Sequence, residues 1–220
     1  MKKIITLIVV VLVAFGLYTY FNQKNVAQAP EAQTLTQTEG VYTPKTTFTG
    51  TKNIALLKST FGWQGQKTVL KEWIDKGFID AQSGTLSFNN GYITGGEVVI
   101  NMNTIKAIQT GSGAGQDQLS KHLKSKDFFD AENFPTATFA ITKVENNVMS
   151  GNLTIKGVTQ PISFPITILE SENEYMVSGA ATIDRTLFGV EFGSTNFIKD
   201  LADKAIIDNN FTLDFKLVLE

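Results

Sequence analysis

Apolar and polar residues alternate with a period of two along most of the chain from Val41 to the C-terminus. A period of two puts successive side chains on opposite faces of a strand, so the pattern predicts β-structure with one buried face. The clearest runs are GTLSFNNGYITGGEVVINMNTI (84–105), TATFAITKVE (136–145), VMSGNLTIKGV (148–158), PISFPITILE (161–170), YMVSGAATIDRTLFGVEFG (175–193) and FTLDFKLVLE (211–220). Asn90-Gly91 between two alternating runs is a strong hairpin signal, and Asn146-Asn147 reads as a second turn. KNIALLKSTFGWQG (52–65) supplies one or two further strands, while TVLKEWIDKGF (68–78) reads equally as a short amphipathic helix or as a hairpin.

The alternation nominates inward positions. Phe88 shares a face with Leu86, and Val98, Ile100 and Met102 share the matching face of the next strand. Phe139 and Ile141, Leu153 and Ile155, Phe164, Ile183 and Phe215 continue the set, with Phe128, Phe129 and Phe188 as aromatic closures between strands. Seven or eight antiparallel strands with one or two short helices predict an all-β fold, an up-and-down lipocalin-like β-barrel of about eight strands. Closure would also remove the edges that such long strands expose. An interior of this size is either filled by its own side chains or holds one small ligand. The fourteen inward positions are the candidate ligand-binding residues.

Two segments precede the strands. Lys2-Lys3 leads into an uncharged apolar run over residues 4–21 that nearly spans a hydrocarbon core of ~30 Å. It reads as a signal anchor or a signal peptide over residues 1–21. Tyr18, Tyr20 and Phe21 form an interfacial belt that favours the anchor, while Ala27-Gln28-Ala29 has the shape of a cleavage site but precedes Pro30. Residues 22–40 form a polar linker, and 41–220 the barrel domain. Either reading of 1–21 expects a cell-envelope location outside the cytoplasm, periplasmic or on the extracytoplasmic face.

Composition narrows the chemistry. With 42% hydrophobic and 18% charged residues the chain is globular, and a net charge of −2 carries no basic footprint for nucleic acid. It has no Cys and one His, which removes disulfides, thiolate chemistry and a multi-His metal site within this chain. Sixteen Phe residues fit a large aromatic interior. The stretch Ser120–Phe139, SKHLKSKDFFDAENFPTATF, concentrates the remaining candidates. Ser120 and His122 are two apart, which on a helix points them to different faces, and no GxSxG elbow exists. His122 therefore reads as a helix-surface or capping residue. Asp127, Asp130 and Glu132 read as turn formers around buried aromatics. Gly111-Ser112-Gly113-Ala114-Gly115 lacks the Lys-Ser/Thr of a phosphate loop and reads as a loop before a helix. Glu170, Glu172 and Glu174 read as a solvated edge, and Asp184-Arg185 as a structural ion pair or hydrogen-bonded turn. No catalytic or metal-binding residue is expected.

Four stretches carry a resemblance: Asn103-Thr104, HLKSKDFFDAENFPTATF (122–139), GNLTIKGVTQPI (151–162) and DRTLFGV with FGS (184–194). The second and third, in this order and spacing, are specific. Over residue 84 to the C-terminus the chain resembles the YceI-like family of lipocalin-like barrels associated with polyisoprenoid binding. It departs from the pattern at Leu119-Ser120, where the family often has Arg-Asp, and in the segment VYTPKTTFTGTKN (41–53). The resemblance implies an extended antiparallel barrel holding an isoprenoid-type lipid, a polyprenol or quinone, in its lumen without covalent chemistry or a required cofactor. The expected partners are that lipid, the membrane through the N-terminal segment and, as an option, a second copy in a homodimer. The alternative is a non-enzymatic envelope interaction module whose barrel is filled by side chains.

Overall fold

The computed structural model describes residues 41–69, 73–111, 113–171, 174–199 and 205–220, all within one compact unit. The apolar segment 1–21 and the linker 22–40 lie outside the described residues. Among the described residues no helix is long and apolar enough to cross a membrane.

Among the described residues nine strands follow in order: β1 (Gly50–Asn53), β2 (Thr60–Gln66), β3 (Ile74–Asn89), β4 (Tyr92–Thr110), β5 (Thr136–Glu145), β6 (Val148–Ile155), β7 (Val158–Glu170), β8 (Tyr175–Asp184) and β9 (Asn210–Leu219). Within the same residues one helix, α1 (Gln116–Lys124), and a 3-10 turn, Arg185–Phe188, interrupt them. Every pairing is antiparallel. β2 to β9 form a closed eight-stranded barrel, because β2 pairs with both β3 and β9, and β3 pairs in turn with β4. β1 extends the wall beside the second half of β3.

Local turn chemistry sets three of the hairpins. Asn90-Gly91, Asn146-Asn147 and Lys156-Gly157 all have positive φ, the condition for two-residue turns whose twist matches that of the strands. The third turn breaks the run 148–158 into β6 and the start of β7. The undecided stretch 68–78 resolves toward a hairpin, since Gln66 pairs with Ile74 across the β2–β3 register. At Gly77 a Cβ would overlap the Trp63 ring and the Lys106 carbonyl. Its absence lets the Trp63 indole lie across β3, where its Nε1–H donates to Lys106 O at 3.2 Å.

The two ends of the barrel are closed differently. At the end formed by β3, β4, β7 and β8, residues 42–48 fold over the wall. The Tyr42 hydroxyl donates to Glu170 Oε2 at 2.6 Å, and the Lys45 amide donates to the same oxygen at 2.8 Å. Lys45 Nζ donates to Glu170 O, and Tyr42 N to Asn147 Oδ1. Tyr42, Tyr175, Phe88 and Phe48 then pack edge to face in a chain. Glu170 is therefore the anchor of a strap rather than part of a solvated edge. Burial pushes its carboxyl upward, but the donors Tyr42, Lys45 and Thr46 and the Lys45 charge hold it below the usual carboxylate range. Burial, and then the bond to Glu170, raise the Tyr42 hydroxyl far above its ordinary value, so it stays a donor.

At the other end the long connection 185–209 is held by Arg185, which is 2% exposed. Its guanidinium donates to three backbone carbonyls: Val190 O at 2.7 Å, Asp208 O at 3.0 Å and Ile207 O at 3.2 Å. Asp184 caps the 3-10 turn by accepting from the Thr186 amide and hydroxyl. Asp184-Arg185 is thus a hydrogen-bonded turn with a buried clamp. Burial pulls the Arg185 pKa down while the charges of Asp184 and Asp208 draw it up.

Two outcomes test these closures. Arg185→Lys cannot serve three divergent carbonyls, and leaving buried acceptors unpaired should cost about 2–4 kcal/mol in urea unfolding. Tyr42→Phe should cost about 1 kcal/mol near neutral pH. A carboxyl held low in the fold contributes stability above its unfolded pKa of about 4.3 and loses it as the pH falls through the folded value. The fall in urea midpoint from about pH 5 to about pH 3 should therefore be smaller in Tyr42→Phe than in the native protein.

Candidate functional site

The lumen is divided along its axis. In the half nearest the strap, Leu86 and Val177 are 0% exposed and line neither void described below, so the interior there is filled by side chains. Toward the α1 end, inward side chains such as Ile100, Phe139, Leu213, Phe211 and Phe215 remain partly accessible although they face the core. That accessibility belongs to two voids. The larger, about 360 Å³, lies beneath α1 and is also lined by Arg185, Phe192, Ile207 and Asp208. The smaller, about 60 Å³, lies deeper. Ile100, Ala137, Leu153, Ile183 and Leu213 line both and form a waist between them.

Each wall of the upper cavity has a local cause. β2 brings Trp63, laid flat by Gly77; β3 brings Ile79; β4 brings Met102 and Ile105; β6 brings Ile155. α1 contributes Leu119, His122 and Leu123 from one face. Ser120, on the opposite side from His122, accepts from Ala107 N and donates to Gln116 O, tying the helix to β4. The turn after α1 places Phe128 and Phe129 in the lumen. An aromatic collar results, with His122 4.7 Å from Phe192 and 5.2 Å from Phe128, and Phe129 6.2 Å from Phe211. Arg185 lies 5.6 Å from the Phe128 ring centre, adding a cation–π contact to its three hydrogen bonds.

Polar groups gather on one side of this mouth. Gln66, Lys67, Asp75, Asp208 and Asn210 come from the ends of β2, β3 and β9. Gln66 donates to Asp208 at 3.3 Å. Burial lowers the Lys67 pKa, and the nearby Asp75 charge partly restores it. Apart from this edge and the His122 and Arg185 side chains of the collar, the lining is apolar.

Of the candidate residues, Met102, Phe128, Phe129 and Ile155 line the upper void. Val98, Phe139, Ile141, Phe164 and Phe215 line the lower one, and Ile100, Leu153 and Ile183 line both. Phe88 and Phe188 line neither. Phe88 belongs to the aromatic chain at the strap end, and Phe188 is buried in the turn that packs beside β7. Alternation puts a residue on the inner face but not at a given depth along the axis, which is why Phe88 was grouped with the lumen. The half-buried His122 ring lies in the collar, and its backbone oxygen accepts from the Ser125 hydroxyl and amide that cap the helix. Trp63, Arg185 and Phe192 are not among the candidate ligand-binding residues, although Asp184-Arg185 reads as a turn and both Arg185 and Phe192 fall in the stretch 184–194 that carries the resemblance.

Comparison with known proteins agrees with this geometry. The chain is 34% identical to a UPF0312 protein of Shewanella oneidensis over 86 residues, 37% of this chain and 42% of that one. It is 30% identical to a UPF0312 protein of Pseudomonas paraeruginosa over 129 residues, 54% of this chain and 64% of the other. The matches thus span less than two thirds of these relatives' lengths. Among solved structures, a polyisoprenoid binding domain from Saccharophagus degradans, described as implicated in plant cell wall breakdown, superposes with a TM-score of 0.58 at 16% identity, covering 79% of this chain and 99% of that one. Burkholderia cenocepacia BcnA superposes with a TM-score of 0.56 at 23% identity, covering 75% and 98%. These two share the fold. A model of the YceI-like domain matches residues 54–219, and the chain belongs to the YceI-like family.

Proposed function

We propose that this protein binds an isoprenoid-type lipid, a polyprenol or quinone, in the barrel lumen and holds it in the cell envelope for sequestration or transfer. The observation that carries this reading is the larger cavity, whose apolar wall the protein's own side chains do not fill. Native interiors normally pack without voids larger than a water molecule, so a gap of this size in an otherwise tight barrel favours a ligand. Each CH₂ moved there from water contributes ~0.8 kcal/mol, so an isoprenoid tail needs few polar contacts. The polar edge of Gln66, Lys67, Asp75 and Asp208 suits a head group held at the mouth. The relation to a polyisoprenoid binding domain supports the same ligand class.

The reading requires no covalent chemistry. Export, and attachment to a membrane through residues 1–21, complete the proposal: they would put the barrel beside a source of isoprenoid lipid. The side-chain-filled alternative describes the strap half of the barrel alone.

Solvent extraction of the purified full chain followed by mass spectrometry should recover a prenyl lipid in near-stoichiometric amount. Recovery of none, together with no uptake when the protein is incubated with a prenylated quinone, would sink the reading. Ile100→Gln puts an amide at the waist, where it faces both voids without a partner. Lipid retention should fall at least about tenfold, the equivalent of ~1.4 kcal/mol. Because the amide can turn into the void, the melting temperature should fall by only a few degrees, roughly 1 kcal/mol of stability.

A further inference from the structure

The waist between the two voids is more than a constriction, because of what lies directly below it. Phe139, Phe164 and Phe215 line the lower void, with ring centres 5.3 Å apart for Phe139 and Phe164 and 5.6 Å for Phe164 and Phe215. Met149 and Leu217, 1% and 2% exposed, complete the lining of this void on the side toward the strap. The phenylalanines cannot simply swing aside. The Phe139 ring lies over Gly151, where a Cβ would come within 2.6 Å of it. The Phe215 ring lies over Gly179 at a corresponding 3.0 Å. Gly151 on β6 and Gly179 on β8, the two strands that flank β7, thus seat two of the three rings against the wall, and Phe164 on β7 spans between them.

We infer that the waist and this phenylalanine floor set the length of the apolar chain the protein accepts, making Ala137 and Phe164 determinants of chain-length specificity. The inference rests on the reading of the lumen as an isoprenoid site. The upper cavity, at about 360 Å³, lies near the lower end of the ~300–1,000 Å³ range of small-molecule sites. It accommodates a tail of a few isoprene units with the head at the polar edge. The tip reaches through the waist into about 60 Å³ and stops on Phe164. A long polyprenol would have to leave most of its chain outside. Ala137 is the smallest side chain that faces both voids. Because it lines both voids, volume added there narrows the passage between them.

The test loads the full-length protein from detergent micelles containing equimolar farnesol, geranylgeraniol and solanesol, and measures the retained alcohols by mass spectrometry. Ratios are compared between variants, so partition into the micelle cancels. The native protein should retain farnesol and geranylgeraniol well above solanesol. Ala137→Leu fills space rather than creating it and should remain folded. It should shift the ratio from geranylgeraniol toward farnesol by about fourfold for each methylene excluded. Phe164→Leu should deepen the floor and shift the ratio the opposite way. Identical length ratios in all three folded proteins would overturn the chain-length role while leaving the lipid site intact. Retention of no prenyl alcohol by the folded native protein would overturn the lipid reading and this inference with it.

Discussion

The interior of an eight-stranded barrel is only just wide enough to be filled by its own side chains. Everything distinctive about this protein follows from where along the axis that filling is complete. Closure through β3, which meets β2 on one edge and β4 on the other, fixes the circumference. The contents then depend on the size of the residues that each level supplies. At the strap end Leu86 and Val177 are fully buried. Midway along the axis Ile100, Ala137, Leu153 and Ile183 border both voids, and toward α1 the side chains leave about 360 Å³ unfilled. The result is a barrel that is half core and half container.

Both ends are closed by polar interactions, and each closure differs in kind. The strap end uses one carboxylate, Glu170, as the acceptor for several donors from residues 42–46. Such a contact lies on the rim and adjusts stability without entering the lumen. The mouth end uses a buried guanidinium with three carbonyl partners, supported by the Phe128 ring. A cation this deep costs desolvation, which well-aligned hydrogen bonds offset. In return Arg185 fixes the connection 185–209 while it carries Phe192 over the cavity. The clamp is structural, yet the shape of the mouth depends on it.

A container of this type needs little chemistry at its walls. The tail of an amphiphile is recognised by volume and by the removal of apolar area from water, neither of which requires a charged signature. That is why Ser120–Phe139, the stretch with the densest chemistry in the chain, divides into scaffolding and lining. Ser120 joins α1 to β4, His122 joins the aromatic collar, and Phe128 and Phe129 face the lumen.

The amino-acid sequence by itself determined the strand pattern, the barrel class, the family and most of the inward-facing residues. Strand alternation and turn residues with positive φ act over a few positions, so they are readable without a partner strand. Asn90-Gly91 and Asn146-Asn147 are local facts of this kind, and Lys156-Gly157 was missed because lysine is an uncommon residue in that backbone region. Only the tertiary structure decided which inward residues meet a void and which meet one another. Phe88 and Phe139 have the same pattern in their strands, yet one packs against Tyr175 and the other lines the lower cavity. The difference arises from the sum of side-chain volumes around eight strands at one depth, a quantity set by register and closure. Trp63, Arg185 and Phe192 belong to the mouth for the same reason. Trp63 depends on Gly77 of the next strand, and Arg185 on the Ile207 and Asp208 carbonyls more than twenty residues away as well as on the nearby Val190 carbonyl.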